Sequence, residues 1–91
     1  MKTYTTKTII VGRGKKITEG KYPVLVSFFD EADPHLKGTP PKEVIDFQDV
    51  EKVSFKELDV DYFLAGSDLV INNLSAITIE KKENILIVKK K

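Results

Sequence analysis

A chain of 91 residues, 41% hydrophobic and 32% charged, has the size and composition of one folded domain and is too apolar for a disordered one. The absence of Cys excludes a disulfide framework and a thiolate zinc site. No apolar run approaches the ~20 residues of a membrane-spanning helix. No leader precedes the first apolar segment, so the expected location is the cytoplasm for a complete chain, or the cell envelope if a leader has been removed.

The net charge of +1 conceals an asymmetry. Residues 1–29 carry six basic groups against one acid, 30–68 carry four against eleven, and 69–91 carry five against two. If the terminal strands share a sheet, this distribution gives one basic and one acidic side.

In chain order, residues 3–11 are rich in β-branched side chains and predict a first strand. Gly12-Arg13-Gly14-Lys15 supplies turn chemistry, and Glu19-Gly20 a second turn. Residues 22–29 are apolar on both parities and predict a central strand covered on both faces, with Pro23 at its start or on an edge. Residues 30–41 hold Asp33-Pro34, Gly38 and Pro40-Pro41 and predict a long polar loop. Over 42–50, Val44, Phe47 and Val50 fall at helical spacing, while Ile45 and Phe47 alternate with Asp46 and Gln48 as in a strand. The reading favoured there is a short helical turn or irregular structure.

Val53 and Phe55 predict a short strand with both side chains inward, and the change of parity at Leu58 and Val60 predicts a bend. A turn is expected at 65–68 and a strand at 69–74, with Asn72-Asn73 marking a bulge or an end. The closing element is a hairpin: Ile77 and Ile79 inward, a turn at Lys82-Glu83-Asn84, then Ile85 and Ile87 inward, with lysines at the end. The fold class is therefore all-β, a single antiparallel β-sandwich or open barrel of about six to seven short strands.

Chemistry-bearing motifs are sparse. Gly12-Arg13-Gly14-Lys15 has the residues of a phosphate loop without its spacing or its following helix, and reads as a tight turn. Residues 30–35 gather Asp30, Glu31, Asp33 and His35, the only imidazole, but without calcium-loop spacing or a zinc ligand set. No Gly-x-Ser-x-Gly elbow accompanies His35, and the acids Asp46, Asp49, Glu57, Asp59 and Asp61 read as a solvated face. No enzyme activity and no cofactor are expected. A nucleic-acid surface would draw on Arg13, Lys15, Lys16, Lys81, Lys82 and Lys89, with Tyr4, Tyr22 or Phe28 as stacking platforms, but the acidic half would repel the same ligand.

Ile10-Val11-Gly12 followed by Lys16-Ile17-Thr18-Glu19-Gly20-Lys21-Tyr22, and residues 64–71 with 74–79, resemble a small β module of lipoproteins and other cell-envelope proteins of Gram-positive bacteria. The resemblance covers about a third of the chain, and Ser67 stands between the module's Gly and Asp. It implies an all-β accessory domain and brings no catalytic residues. The expectation is a non-catalytic interaction module binding a partner protein or envelope component, through a sheet edge or through the 30–41 loop with Asp30, Glu31, Asp33, His35 and Lys37. An exposed edge would also permit self-association by strand pairing. The alternative expectation is a small nucleic-acid-binding barrel, phage or plasmid encoded.

Overall fold

The computed structural model describes residues 2–13, 22–56, 62–65 and 68–90. The strands are β1 (Lys2–Thr5), β2 (Thr8–Arg13), β3 (Tyr22–Phe29), β4 (Glu43–Val50), β5 (Lys52–Lys56), β6 (Tyr62–Ala65), β7 (Asp68–Ile71), β8 (Ala76–Lys82) and β9 (Ile85–Lys90). One helical turn, α1 (Pro34–Lys37), interrupts the loop between β3 and β4. Among the described residues these nine strands form two sheets, ordered β1-β8-β9-β5 and β4-β3-β2-β7-β6. The fold is all-β and sandwich-like, with more strands than the spacing of turn residues indicates. Every pairing is antiparallel except β5 with β9, which run parallel.

The extra strands arise because three continuous runs change sheet. β1 passes into β2 at Thr6-Lys7, β4 into β5 at Glu51, and β7 into β8 over residues 72–75. Strands that switch sheets form the corners of sandwiches and open barrels. The run 3–11 is therefore two strands. Its corner inverts side-chain parity, so Tyr4 packs against the core from β1 while Ile9 and Val11 do so from β2. Buried Thr6 holds the bend: its hydroxyl lies 3.0 Å from the Thr8 carbonyl and 2.9 Å from that of Phe29, and the Phe29 amide donates to it at 3.3 Å. Thr6 N–H to Ser75 O (3.2 Å) and Leu74 N–H to Lys7 O (2.9 Å) stitch two of the corners together.

Residues 43–50 form strand β4, correcting the helical turn expected there. The register with β3 shifts between Tyr22 and Val24, where β4 carries an extra residue and Asp49 adopts φ 56°. This bulge brings Val50 inward three positions after Phe47 and so imitates helical spacing in an extended chain. Pro23 lies at the same irregularity, where a missing N–H costs least.

The core between the sheets is built from Ile9, Val11, Val24, Val26, Phe28, Val50, Ile71, Leu74, Ile77, Ile79, Leu86 and Val88. On β9 the inward pair is Leu86 and Val88, not Ile85 and Ile87; Ile85 is 39% exposed. The hairpin loop is only Glu83-Asn84, which sets Lys82 opposite Ile85 and Ile79 opposite Val88. A four-residue apolar run has no parity of its own, so the turn decides it. β3 is central in its sheet but covered on one face along most of its length, leaving Leu25 41% exposed. On edge strand β5 Val53 is partly buried against the core, whereas Phe55 is 37% exposed. Gly12 and Arg13 belong to β2 rather than to a turn, and a Cβ on Gly12 would meet Asp68 Oδ1 at 2.8 Å. The bend expected at 58–60 lies outside the described residues.

Glu83 adopts φ 57°, a left-handed conformation that an L side chain resists. Glu83→Gly is expected to raise stability by about 0.5–1 kcal/mol, the relieved strain less the entropy of a glycine in the unfolded chain. Urea unfolding with an upward-shifted midpoint and unchanged slope checks this.

Candidate interaction surface

The loop joining β3 to β4 is folded over one end of the second sheet. Inward residues of β2 and β3 include Ile9 and Phe28, so Thr8 and Phe29, paired with each other, point to the outer face. Both are buried there, and Pro34 in the loop is fully buried. Buried Asn72 follows β7 and joins the pieces. Its Oδ1 lies 3.1 Å from the Thr8 hydroxyl and accepts from the Asp33 amide at 3.3 Å, while its Nδ2 donates to Asp33 Oδ1 at 3.1 Å. The Thr8 hydroxyl is also 2.8 Å from the Glu31 carbonyl.

Asp33 (φ 51°) and Gly38 (φ 67°) bracket α1 in left-handed conformations, and Pro34 O accepts from the Thr39 amide at 3.2 Å. The flanking charges are also paired. Lys37 Nζ lies 3.6 Å from Glu31 Oε2, and Lys42 Nζ lies 2.6 Å from Asp30 Oδ1. A hydrogen bond from the Thr39 side chain holds the Glu31 carboxyl below its ordinary value, helped by Lys37 and opposed by slight desolvation. Leu36, on α1, is 77% exposed.

Of the loop residues expected to bind a partner, Asp33 is thus an anchor, and Asp30, Glu31 and Lys37 are held in ion pairs; His35 lies within α1. The loop behaves as a cover before it behaves as a receptor. The basic set is divided. Arg13 ends β2 in the second sheet, while Lys81 and Lys82 end β8 in the first, where successive side chains point to opposite faces. Lys15 and Lys16 lie outside the described residues. Tyr4 and Phe28 stack on each other, ring centroids 4.7 Å apart and 20° from parallel, so neither ring is an open platform for a base.

The more open feature is a seam that sequence reasoning did not locate. β1 is an edge of the first sheet and β4 an edge of the second. Lys42 bridges them, donating from Nζ to Thr5 O at 2.6 Å while paired with Asp30. A shallow groove of about 210 Å³ runs between Thr3, Tyr4, Phe28, Lys42 and Glu43. Further depressions flank Asp30, one toward Leu74 and one toward Pro40. Among the described residues β4 pairs with β3 on one side only, and Val44 on this strand is 49% exposed. The sequence signal that could have revealed the edge is the bulged, acid-rich strand itself, hidden by its helical spacing.

Among the described residues no group of three or more His, Cys, Asp or Glu is placed to hold a metal ion, and no helix is long and apolar enough to cross a membrane. No protein-family model matches the chain, and no curated protein or solved structure is significantly similar to it.

Proposed function

We propose that this protein is a non-catalytic interaction module that takes a partner polypeptide as an added strand along β4, at the seam with β1. The observation that carries the reading is a largely exposed eight-residue strand that, among the described residues, is paired on one side only and lies beside a groove, while the charged groups of the neighbouring loop are already paired. Strand addition draws affinity from main-chain hydrogen bonds and specificity from pockets for alternate side chains. Exposed Val44 and half-buried Ile45 and Phe47 give a partner strand apolar surface on both faces of the edge. The partner is a protein or an envelope component, a choice supported by the resemblance to the Gram-positive envelope module. A second copy pairing through the same edge is the homotypic form.

Panning a random dodecapeptide library against the protein, followed by hydrogen exchange of the complex, tests this reading. The expected peptides are extended and alternate in polarity, and they slow exchange over 43–50 and 2–5. Protection confined to 30–41, or none at the edge, would overturn it. Sedimentation showing a strict monomer at high concentration would remove the homotypic form.

A further inference from the structure

The two sheets differ in the chemistry of their outer faces. In the first sheet Ile77, Ile79, Leu86 and Val88 point inward, so alternate residues on the same strands point out. Register then assembles three rows across the outer face. Lys52 lies opposite Ile85, which lies opposite Lys82; Ser54 lies beside Ile87 and Ile87 beside Glu80; Lys56 lies beside Lys89 and Lys89 beside Thr78. Four lysines therefore frame two isoleucines, with Glu80 the only acid in these rows. Adjacent strands are about 4.8 Å apart and residues rise about 3.3 Å, so the frame measures roughly 10 by 13 Å. Ile85 is 39% exposed at one end, and Ile87 is partly exposed at the centre.

We propose that this face is a docking surface for an acidic polypeptide segment that carries apolar residues on one side. Charge complementarity selects the partner: Lys52, Lys56 and Lys82 stand where flanking carboxylates would lie, and Ile85 with Ile87 accepts an apolar stripe. Lysine stems extend that apolar floor while their ammonium groups reach outward. No aromatic side chain lies on this face among the described residues, so it lacks the stacking surface that single-stranded nucleic acid uses and the aromatic anchors of a membrane interface. The lysines are contributed by β5, β8 and β9, which explains why charge counted along the chain did not reveal them as one group. This surface belongs to the other sheet from β4, and it stands whether or not strand addition occurs there.

The test is fluorescence anisotropy with four probes: a helical peptide with glutamates flanking a leucine stripe, a poly-glutamate peptide of equal charge, an oligo-dT strand, and phosphatidylserine vesicles. The amphipathic acidic peptide is expected to bind best at low salt and to weaken as salt rises. The double variant Lys52→Glu, Lys82→Glu should weaken it by about tenfold or more. Ile85→Ser should weaken it too, while Leu36→Ser, the same kind of change at an exposed apolar side chain of α1, should not. These are exposed positions, and unchanged circular dichroism verifies the fold of each variant. Equal or tighter binding of oligo-dT or vesicles through the same lysines would overturn the assignment of partner. Binding to none of the four, or binding indifferent to the substitutions, would overturn the docking surface itself.

Discussion

Phe28→Ala is expected to be the most damaging single substitution, costing about 3–5 kcal/mol. Phe28 is 1% exposed on central strand β3, stacks on Tyr4 of the opposite sheet, and lies among the side chains of the core. Truncation removes the apolar transfer energy of the ring, the stack, and the contacts of the cavity lining. A domain of this size has a total stability of about 5–14 kcal/mol, so the variant approaches the unfolding threshold at ordinary temperature. Urea unfolding at low temperature measures the loss, and Phe28→Leu keeps the measurement accessible if the alanine variant does not fold. A cost below about 1.5 kcal/mol for Phe28→Ala would mean that the ring is not part of the sheet-to-sheet contact.

Asn72→Ala is expected to cost about 1–3 kcal/mol, because it removes a partner from the Thr8 hydroxyl, the Asp33 amide and the Asp33 carboxylate together. Asn72 is 8% exposed and Thr8 fully buried, so water does not readily replace the lost bonds. The effect should be local as well as global. Amides of 31–38 should exchange faster, while those of 77–88 should follow only the change in overall stability. Asn72→Asp separates the roles: Oδ1 is kept, but the Nδ2 donor to Asp33 is replaced by a like charge. That variant should loosen the 31–38 cover as Asn72→Ala does, while the bonds made to Oδ1 are retained. Loop exchange unchanged in both variants would show that the cover does not depend on Asn72.

The β character was legible because β-branched and aromatic residues cluster between Gly, Pro and Asn, and that signal is local. The C-terminal hairpin was legible for the same reason. The facing of β9 was not, since Ile85, Leu86, Ile87 and Val88 are all apolar and only the two-residue loop fixes their parity. The corners were hidden because a strand that changes sheet keeps its extended backbone; the long-range part of Thr6's role shows only when Phe29, 23 positions away, is set beside it. β4 was mistaken because a bulge at Asp49 converts period two into apparent period three. In the loop, the acidic residues were visible but their use was not. Asp33 reads as a free carboxylate until Asn72, 39 residues later, is set beside it. The basic face was invisible to charge counting because Lys52 and Lys56 sit inside the acid-rich middle of the chain and reach the other lysines only through the parallel pairing of β5 with β9.

Interaction through β4 requires one unpaired flank on that strand. Residue-resolved amide exchange of the free protein by NMR addresses this directly. Slow exchange is expected for the inner part of β3, bonded on both sides, and a fast–slow alternation along 43–47 as every second N–H meets water. Uniformly slow amides there would mean that the flank is already occupied, and uniformly fast ones would mean that no strand exists at that position.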